Sequence, residues 1–152
     1  MGRGKRVAKE GVRSLVKMAS SNDETEIRAL LKRMHTYDEA MDATYFDAWS
    51  GWVCRPSGNP ASTEMLRQMM QSEDVSASSG KLLEVKVLDI TEEMAYSACI
   101  CSAKFSYKGT PNDDVYVMTN VFKKVGGKWQ SVWGHRSTGR SPDEEPPSPW
   151  PQ

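Results

Sequence analysis

The sequence predicts an α+β domain in which helices come first and a meander of antiparallel strands follows. Apolar residues recur at steps of three or four between residues 27 and 45, as on one side of an amphipathic helix. After Gly80 the apolar period changes to two, which is typical of strands. Helices segregated from an antiparallel sheet define the α+β class, and 152 residues suit one domain.

The first helix is predicted from about residue 23 to the mid-forties. Ser21, Asn22 and Asp23 supply candidates for its N-cap and its acidic first turn. Its predicted apolar side consists of Ile27, Leu30, Leu31, Met34, Tyr37, Met41 and Tyr45. Residues 52–60 then predict a brief extended piece and a turn. A short second helix is expected from residue 64 to about residue 71.

Four long strands are predicted after a polar loop at residues 72–80. They cover residues 82–90 and 95–107, then a hairpin over residues 115–137 that turns at two glycines. Residues two apart on a strand share a face. One face of the last strand is therefore predicted to carry Trp129, Ser131, Trp133, His135 and Ser137. Such a stripe can build a core, or it can line a pocket for a small molecule.

Composition bounds the environment and the partners. Residues 1–21 hold six Lys or Arg and one Glu, a net charge of +5, so the remaining chain carries −5. The acidic body argues against nucleic acid as a partner, while the basic segment is either an extension or an organelle-import sequence. A proline-rich tail is expected over residues 140–152, which leaves residues 22–139 as the domain.

The rarer residues exclude several classes of site. Three Cys and two His show no metal-ligand spacing, so neither a metal nor another cofactor is expected. The odd number of cysteines favours a reducing compartment, and we expect a cytoplasmic protein. No apolar run approaches the ~20 residues that cross a bilayer, so no membrane partner is expected.

Three stretches carry a family resemblance. They are residues 37–47, residues 52–60 and residues 123–137, the last with Lys128-Trp129 followed by His135-Arg-Ser137. Together they resemble the nuclear transport factor 2-like superfamily, particularly its SnoaL-like members and the association domain of calcium/calmodulin-dependent kinase II. The resemblance covers about residues 23–138. It implies a cone-shaped fold, a curved sheet wrapped around a long helix, and a homodimer formed through the sheet.

The resemblance also implies a small-molecule pocket between the helix and the sheet. Tyr37 matches a family tyrosine whose hydroxyl enters this pocket, and Asn120 is a polar residue on an otherwise apolar strand face. With the strand alternation, these arguments predict the ligand-binding residues Tyr37, Asn120, Trp133, His135 and Ser137. Histidine titrates near neutrality and can transfer a proton, so His135 is a catalytic candidate. Tyr37 is the second catalytic candidate, because the resemblance implies that its hydroxyl enters the pocket.

Two function classes follow. The first is a small-ligand-binding or oligomerisation domain without chemistry. The alternative is an enzyme of the same fold, because the ending is similar to that of iota-class carbonic anhydrases, although only His135 and Ser137 fit that pattern. Other acid–base lyases and isomerases of this fold need a pocket carboxylate, whereas Asp38 and Asp42 are expected to be solvated.

Overall fold

The structure, a computed structural model, describes residues 20–38 and 43–138. Within these ranges the elements are α1 (Ser21–His35), a 3-10 helix (Ala43–Ala48), β1 (Trp49–Cys54), β2 (Pro60–Ser62), α2 (Thr63–Met70), β3 (Val75–Ile90), β4 (Met94–Tyr107), β5 (Thr110–Val125) and β6 (Lys128–Thr138). The α+β prediction is confirmed. Asp42, Met41 and nearly all of both predicted tails lie outside the described residues.

Helix α1 begins at a capping box and ends earlier than the apolar period predicted. The Ser20 side chain accepts a hydrogen bond from the backbone N–H of Asp23, whose own side chain accepts one from the Ser20 backbone. After His35 the backbone of Thr36 is extended. Tyr37 then exchanges two backbone hydrogen bonds with Gly80, at 3.1 and 2.9 Å. The predicted continuation to the mid-forties is therefore wrong, because pairing with β3 replaces the helical hydrogen bonds.

The described strands form one sheet in the order β2-β1-β6-β5-β4-β3. The meander from β3 to β6 is antiparallel, as predicted. At the other edge β1 pairs with β6 in parallel, so the sheet is mixed. Strand β3 also begins at Val75, where it faces Tyr107 of β4, so most of the predicted loop at residues 72–80 is strand.

One face of the sheet, hereafter the inner face, packs against α1. The helix contributes Ile27, Leu31 and Met34 to the core, and all three are fully buried. The strands contribute Phe122 and Trp129 opposite them. Burying one such side chain contributes about 1.5–3 kcal/mol to the free energy of folding, so this layer holds the helix on the sheet.

A β-bulge reverses the faces halfway along β6. Phe122 of β5 faces Ser131, but the adjacent Val121 faces Trp133, so Val132 is an extra residue. The bulge lies against Gly51 of β1, where a Cβ atom would be 1.8 Å from the Val132 carbonyl oxygen. The prediction of a single face running from Trp129 to Ser137 is therefore wrong, since one extra residue moves every later side chain to the opposite face.

Candidate ligand-binding cavity

A cavity of about 680 Å³ opens where the inner face of the sheet extends beyond the end of α1. Helix α2 borders it, together with β1, β2 and parts of β4 and β5. Most of the lining is apolar: Phe46, Trp49, Val53, Ala61, Met65, Leu66, Met69, Met70, Ala103, Phe105 and Met118. Its size lies within the range of small-molecule pockets, about 300–1,000 Å³.

The first polar group at this cavity is the imidazole of His35, the last residue of α1. It is only 2% exposed, and its ring meets Trp49 edge-on with centroids 6.1 Å apart. Burial lowers the pKa of His35 from 6.5 to about 4. Its Nε2 atom has no hydrogen-bond partner among the described residues. The imidazole is therefore neutral, and its unpaired nitrogen is enclosed by protein atoms.

Two tyrosines form a second polar group. Tyr37 and Tyr116 both line the cavity, and burial raises the pKa of each hydroxyl. The thiol of Cys101, the neighbour of Tyr116 across the strand pair, is buried as well, and desolvation raises its pKa to about 12. The two hydroxyls stay protonated near neutral pH, so they can donate hydrogen bonds to a bound molecule, whereas Cys101 lies in the core outside the cavity lining.

The cations at the cavity are two arginines, Arg55 and Arg136. The Nη2 atom of Arg136 donates to Asp114 Oδ2 at 2.7 Å, and its guanidinium carbon lies 4.0 Å from the centroid of the Tyr116 ring. The Arg55 Nε atom donates to the carbonyl oxygen of Asn59 at 3.1 Å. Among the described lining residues there is no carboxylate, so the charge offered to a ligand is positive.

Tyr37 is the one predicted site residue that lines this cavity. Its ring fits beside Gly80, where a Cβ atom would lie 2.4 Å from the Tyr37 Cε1 atom. Asn120 faces inward as expected, but it lies in the core away from the cavity lining. There its Oδ1 atom accepts from the Ser131 hydroxyl at 3.5 Å, while Nδ2 has no partner among the described residues.

Trp133, His135 and Ser137 lie on the opposite, outer face of the sheet. All three are exposed, whereas Gly134 between them is buried. The bulge at Val132 is the cause, since it turns Gly134 and Arg136 inward instead. The three side chains therefore lie on the other side of the sheet from Tyr37 and this cavity, and their assignment to a ligand site stays a prediction.

Sequence reasoning missed His35, Arg55 and Arg136. His35 follows the inward-facing Leu31 by four residues, so helical spacing was a usable signal for it. Arg136 was assigned to the other face because alternation was counted through the bulge. Arg55 stands where the sequence predicted a turn, and nothing local indicated its direction.

The described part of the chain carries neither a cluster of metal ligands nor a membrane-spanning helix. No group of three or more His, Cys, Asp or Glu there is placed to hold a metal ion. None of its helices combines the length and apolarity needed to cross a bilayer.

Solved structures define the class of protein. An NTF2-like protein of unknown function from Prochlorococcus is 31% identical, with a TM-score of 0.68 over 81% of this chain and 96% of that one. A proposed Ca/calmodulin-dependent kinase II association domain from Exiguobacterium sibiricum also gives a TM-score of 0.68, at 14% identity over 82% of this chain and 98% of that one. A proposed NTF2-like dehydratase from Streptomyces avermitilis gives 0.62, at 16% identity over 79% and 98%.

The chain is therefore an NTF2-like protein with a cystatin-like fold, which confirms the resemblance drawn from the sequence. More particularly, it belongs to the family described as protein of unknown function DUF3804, which matches residues 15–144. No curated protein matches the chain. The two neighbours below 25% identity support the fold and carry no function to this chain.

Proposed function

We propose that this protein is a small-ligand-binding domain and that its ligand occupies the cavity between α2 and the inner face of the sheet. The observation that carries the proposal is a cavity of about 680 Å³ with an apolar lining and few polar groups. Binding sites for small molecules have this composition, because apolar walls supply affinity and isolated polar groups supply orientation.

One detail favours a ligand over an unfilled packing defect. Met65 and Met69 of α2 are exposed although they line the cavity. A bound apolar molecule would cover both side chains.

Filling the cavity tests this function. Ala103 is buried on β4 and lines the cavity, so Ala103→Phe should occupy part of its volume. We expect wild type to bind the neutral dye Nile red saturably, with a rise in fluorescence, and Ala103→Phe to bind at least about 10-fold more weakly. Ala29→Phe is the matched control, because residue 29 is exposed on α1.

The interpretation depends on a folded variant. Far-UV circular dichroism checks Ala103→Phe, and Ala61→Phe replaces it if the strand is disturbed, since Ala61 lines the same cavity from β2. Equal dye affinity in wild type and in a folded cavity-filling variant would contradict the proposal. Absence of saturable binding in wild type would contradict it as well.

We further propose that two copies associate through the outer face of the sheet. Tyr96, Val121, Trp133 and Trp52 face one another in turn across β4, β5, β6 and β1. The three aromatic side chains are 52%, 42% and 49% exposed for Tyr96, Trp133 and Trp52. Contiguous exposed apolar surface of this kind marks interfaces between proteins.

Sedimentation velocity tests the dimer. Trp133→Glu places a carboxylate in the centre of this aromatic row, and we expect it to convert a wild-type dimer to a monomer. Ala29→Glu adds the same charge on α1, away from the sheet face, and should leave the dimer intact. A monomeric wild type at micromolar concentration would refute the association.

A further inference from the structure

Arg55, the residue after β1, and Arg136 of β6 come next in the register of these two parallel strands. In the β1–β6 ladder Val53 faces Gly134 and Cys54 faces His135. The next step along both chains brings Arg55 beside Arg136, and adjacent strands lie about 4.8 Å apart. Both arginines line the cavity, so the two guanidinium groups leave the same face of the sheet at one end of it.

The two guanidiniums retain unused hydrogen-bond donors. The bond from Arg55 Nε to the Asn59 carbonyl leaves its four terminal N–H groups available. No carboxylate of the described residues lies within ion-pair distance of Arg55, whereas Arg136 is paired with Asp114. The Nε atom of Arg136 is enclosed by protein atoms, so the donors that this side chain can offer to a ligand are those of its terminal nitrogens.

The net charge of Arg55, Arg136 and Asp114 indicates the charge of the ligand. Two guanidinium charges and the single carboxylate of Asp114 leave a net charge of about +1 beside an apolar cavity. The positive charge of this end of the cavity is therefore complementary to one negative charge on a ligand. Guanidinium groups fit carboxylates with two parallel hydrogen bonds, which favours a planar carboxylate over a spherical anion.

We propose that Arg55 and Arg136 form a subsite for the carboxylate of an amphiphilic organic monoacid. The apolar body of this acid lies against Met65, Leu66 and Phe105, further along the same cavity. The inference rests on the proposed ligand-binding function and specifies the chemical class of the ligand. It also assigns a role to the position of Arg136, because a bulge-free β6 would direct this side chain to the outer face.

Three probes with the same eight-carbon chain test the subsite by isothermal titration calorimetry on the full chain. Octanoate carries one negative charge, octanol carries none, and octyl phosphate carries close to two. A hydrogen bond to a charged group is worth enough that we expect octanoate to bind at least about 10-fold more tightly than octanol. Octyl phosphate should bind more weakly than octanoate, because its second charge has no partner.

Arginine variants locate the effect. Arg55→Gln should weaken octanoate at least about 10-fold and leave octanol within about twofold. Arg33→Gln removes the same charge from an exposed position on α1 that does not line the cavity, and should change neither affinity. Arg136→Lys keeps the charge but loses the paired geometry, so it should also weaken octanoate while the fold is retained.

The outcomes separate the two proposals. If octanoate and octanol bind equally, or if Arg33→Gln weakens octanoate as much as Arg55→Gln does, the carboxylate subsite is wrong although the cavity binds ligands. Tighter binding of octyl phosphate than of octanoate would replace the monoacid with a phosphorylated ligand. If neither octanoate nor octanol binds, and Nile red does not bind either, the ligand-binding function itself is refuted.

Discussion

Acidification should destabilise this protein through one buried side chain, His35. The pKa of this imidazole falls from 6.5 to about 4 on folding, because burial disfavours the charged ring. The unfolded chain therefore binds more protons than the folded chain between these two values. The free energy of unfolding therefore has its full value above pH 6.5 and decreases as the pH falls towards 4. Below pH 4 the titration of His35 changes it no further.

The size of the effect follows from these two values. The free energy of unfolding changes by about 1.4 kcal/mol for each pH unit between them. With a folded pKa of about 4, the loss relative to neutral pH reaches about 2 kcal/mol near pH 5 and about 3 kcal/mol well below pH 4. Such a loss is a large fraction of the total stability of a domain, about 5–15 kcal/mol.

Urea unfolding at several pH values between about 4.5 and 8 measures this loss at one protein concentration. In His35→Leu the imidazole is absent, so we expect the slope of stability against pH to decrease in this range. His135→Gln is the matched control, since it removes the other, exposed histidine and should retain the wild-type slope. If His35→Leu keeps the wild-type slope, the assignment of the titration to His35 is wrong.

Three further changes test other parts of the structure. Gly51→Ala should cost about 3 kcal/mol or more in urea unfolding, since its Cβ would lie 1.8 Å from a backbone oxygen of β6; an unchanged midpoint would exclude this contact. Asp23→Asn should melt well below Glu24→Gln, because Asp23 is buried and accepts from Lys124 and Trp129 whereas Glu24 pairs only in solvent; equal melting temperatures would contradict this. Gly80→Ala should weaken Nile red binding about tenfold by displacing the Tyr37 ring, and full affinity would show that the ring does not shape the cavity.

Much of the fold could be predicted from the sequence, because local sequence patterns and tertiary packing favour the same elements. The acidic first turn at Asp23, the change of period after Gly80 and the glycine turn between β5 and β6 all predict the elements in which they occur, whereas the N-cap of α1 is Ser20, one residue before the predicted candidates. The end of α1 could not be predicted in this way. The apolar spacing continues through Tyr37, and only the distant Gly80 provides the hydrogen bonds that end the helix.

The candidate site was less predictable because it depends on the register between strands. Tyr37 was predicted from helical spacing and from the family resemblance, and it lines the cavity although it lies beyond the end of α1. The remaining predictions on β6 relied on unbroken alternation, which fails at Val132. The bulge fits only because its neighbour Gly51 has no side chain. Gly51 lies some eighty positions earlier in the chain, so the residues around Val132 do not indicate the bulge.

The sequence by itself determined the class of this protein, since helical spacing, strand alternation and turn residues act between neighbours along the chain. Tertiary structure alone decided which side chains meet at the cavity. The parallel pairing of β1 with β6 brings Arg55 beside Arg136, and the bulge turns Arg136 inward while leaving His135 outside. Both depend on contacts between residues distant in sequence, and a displacement of one residue in such a pairing exchanges the two faces of a strand.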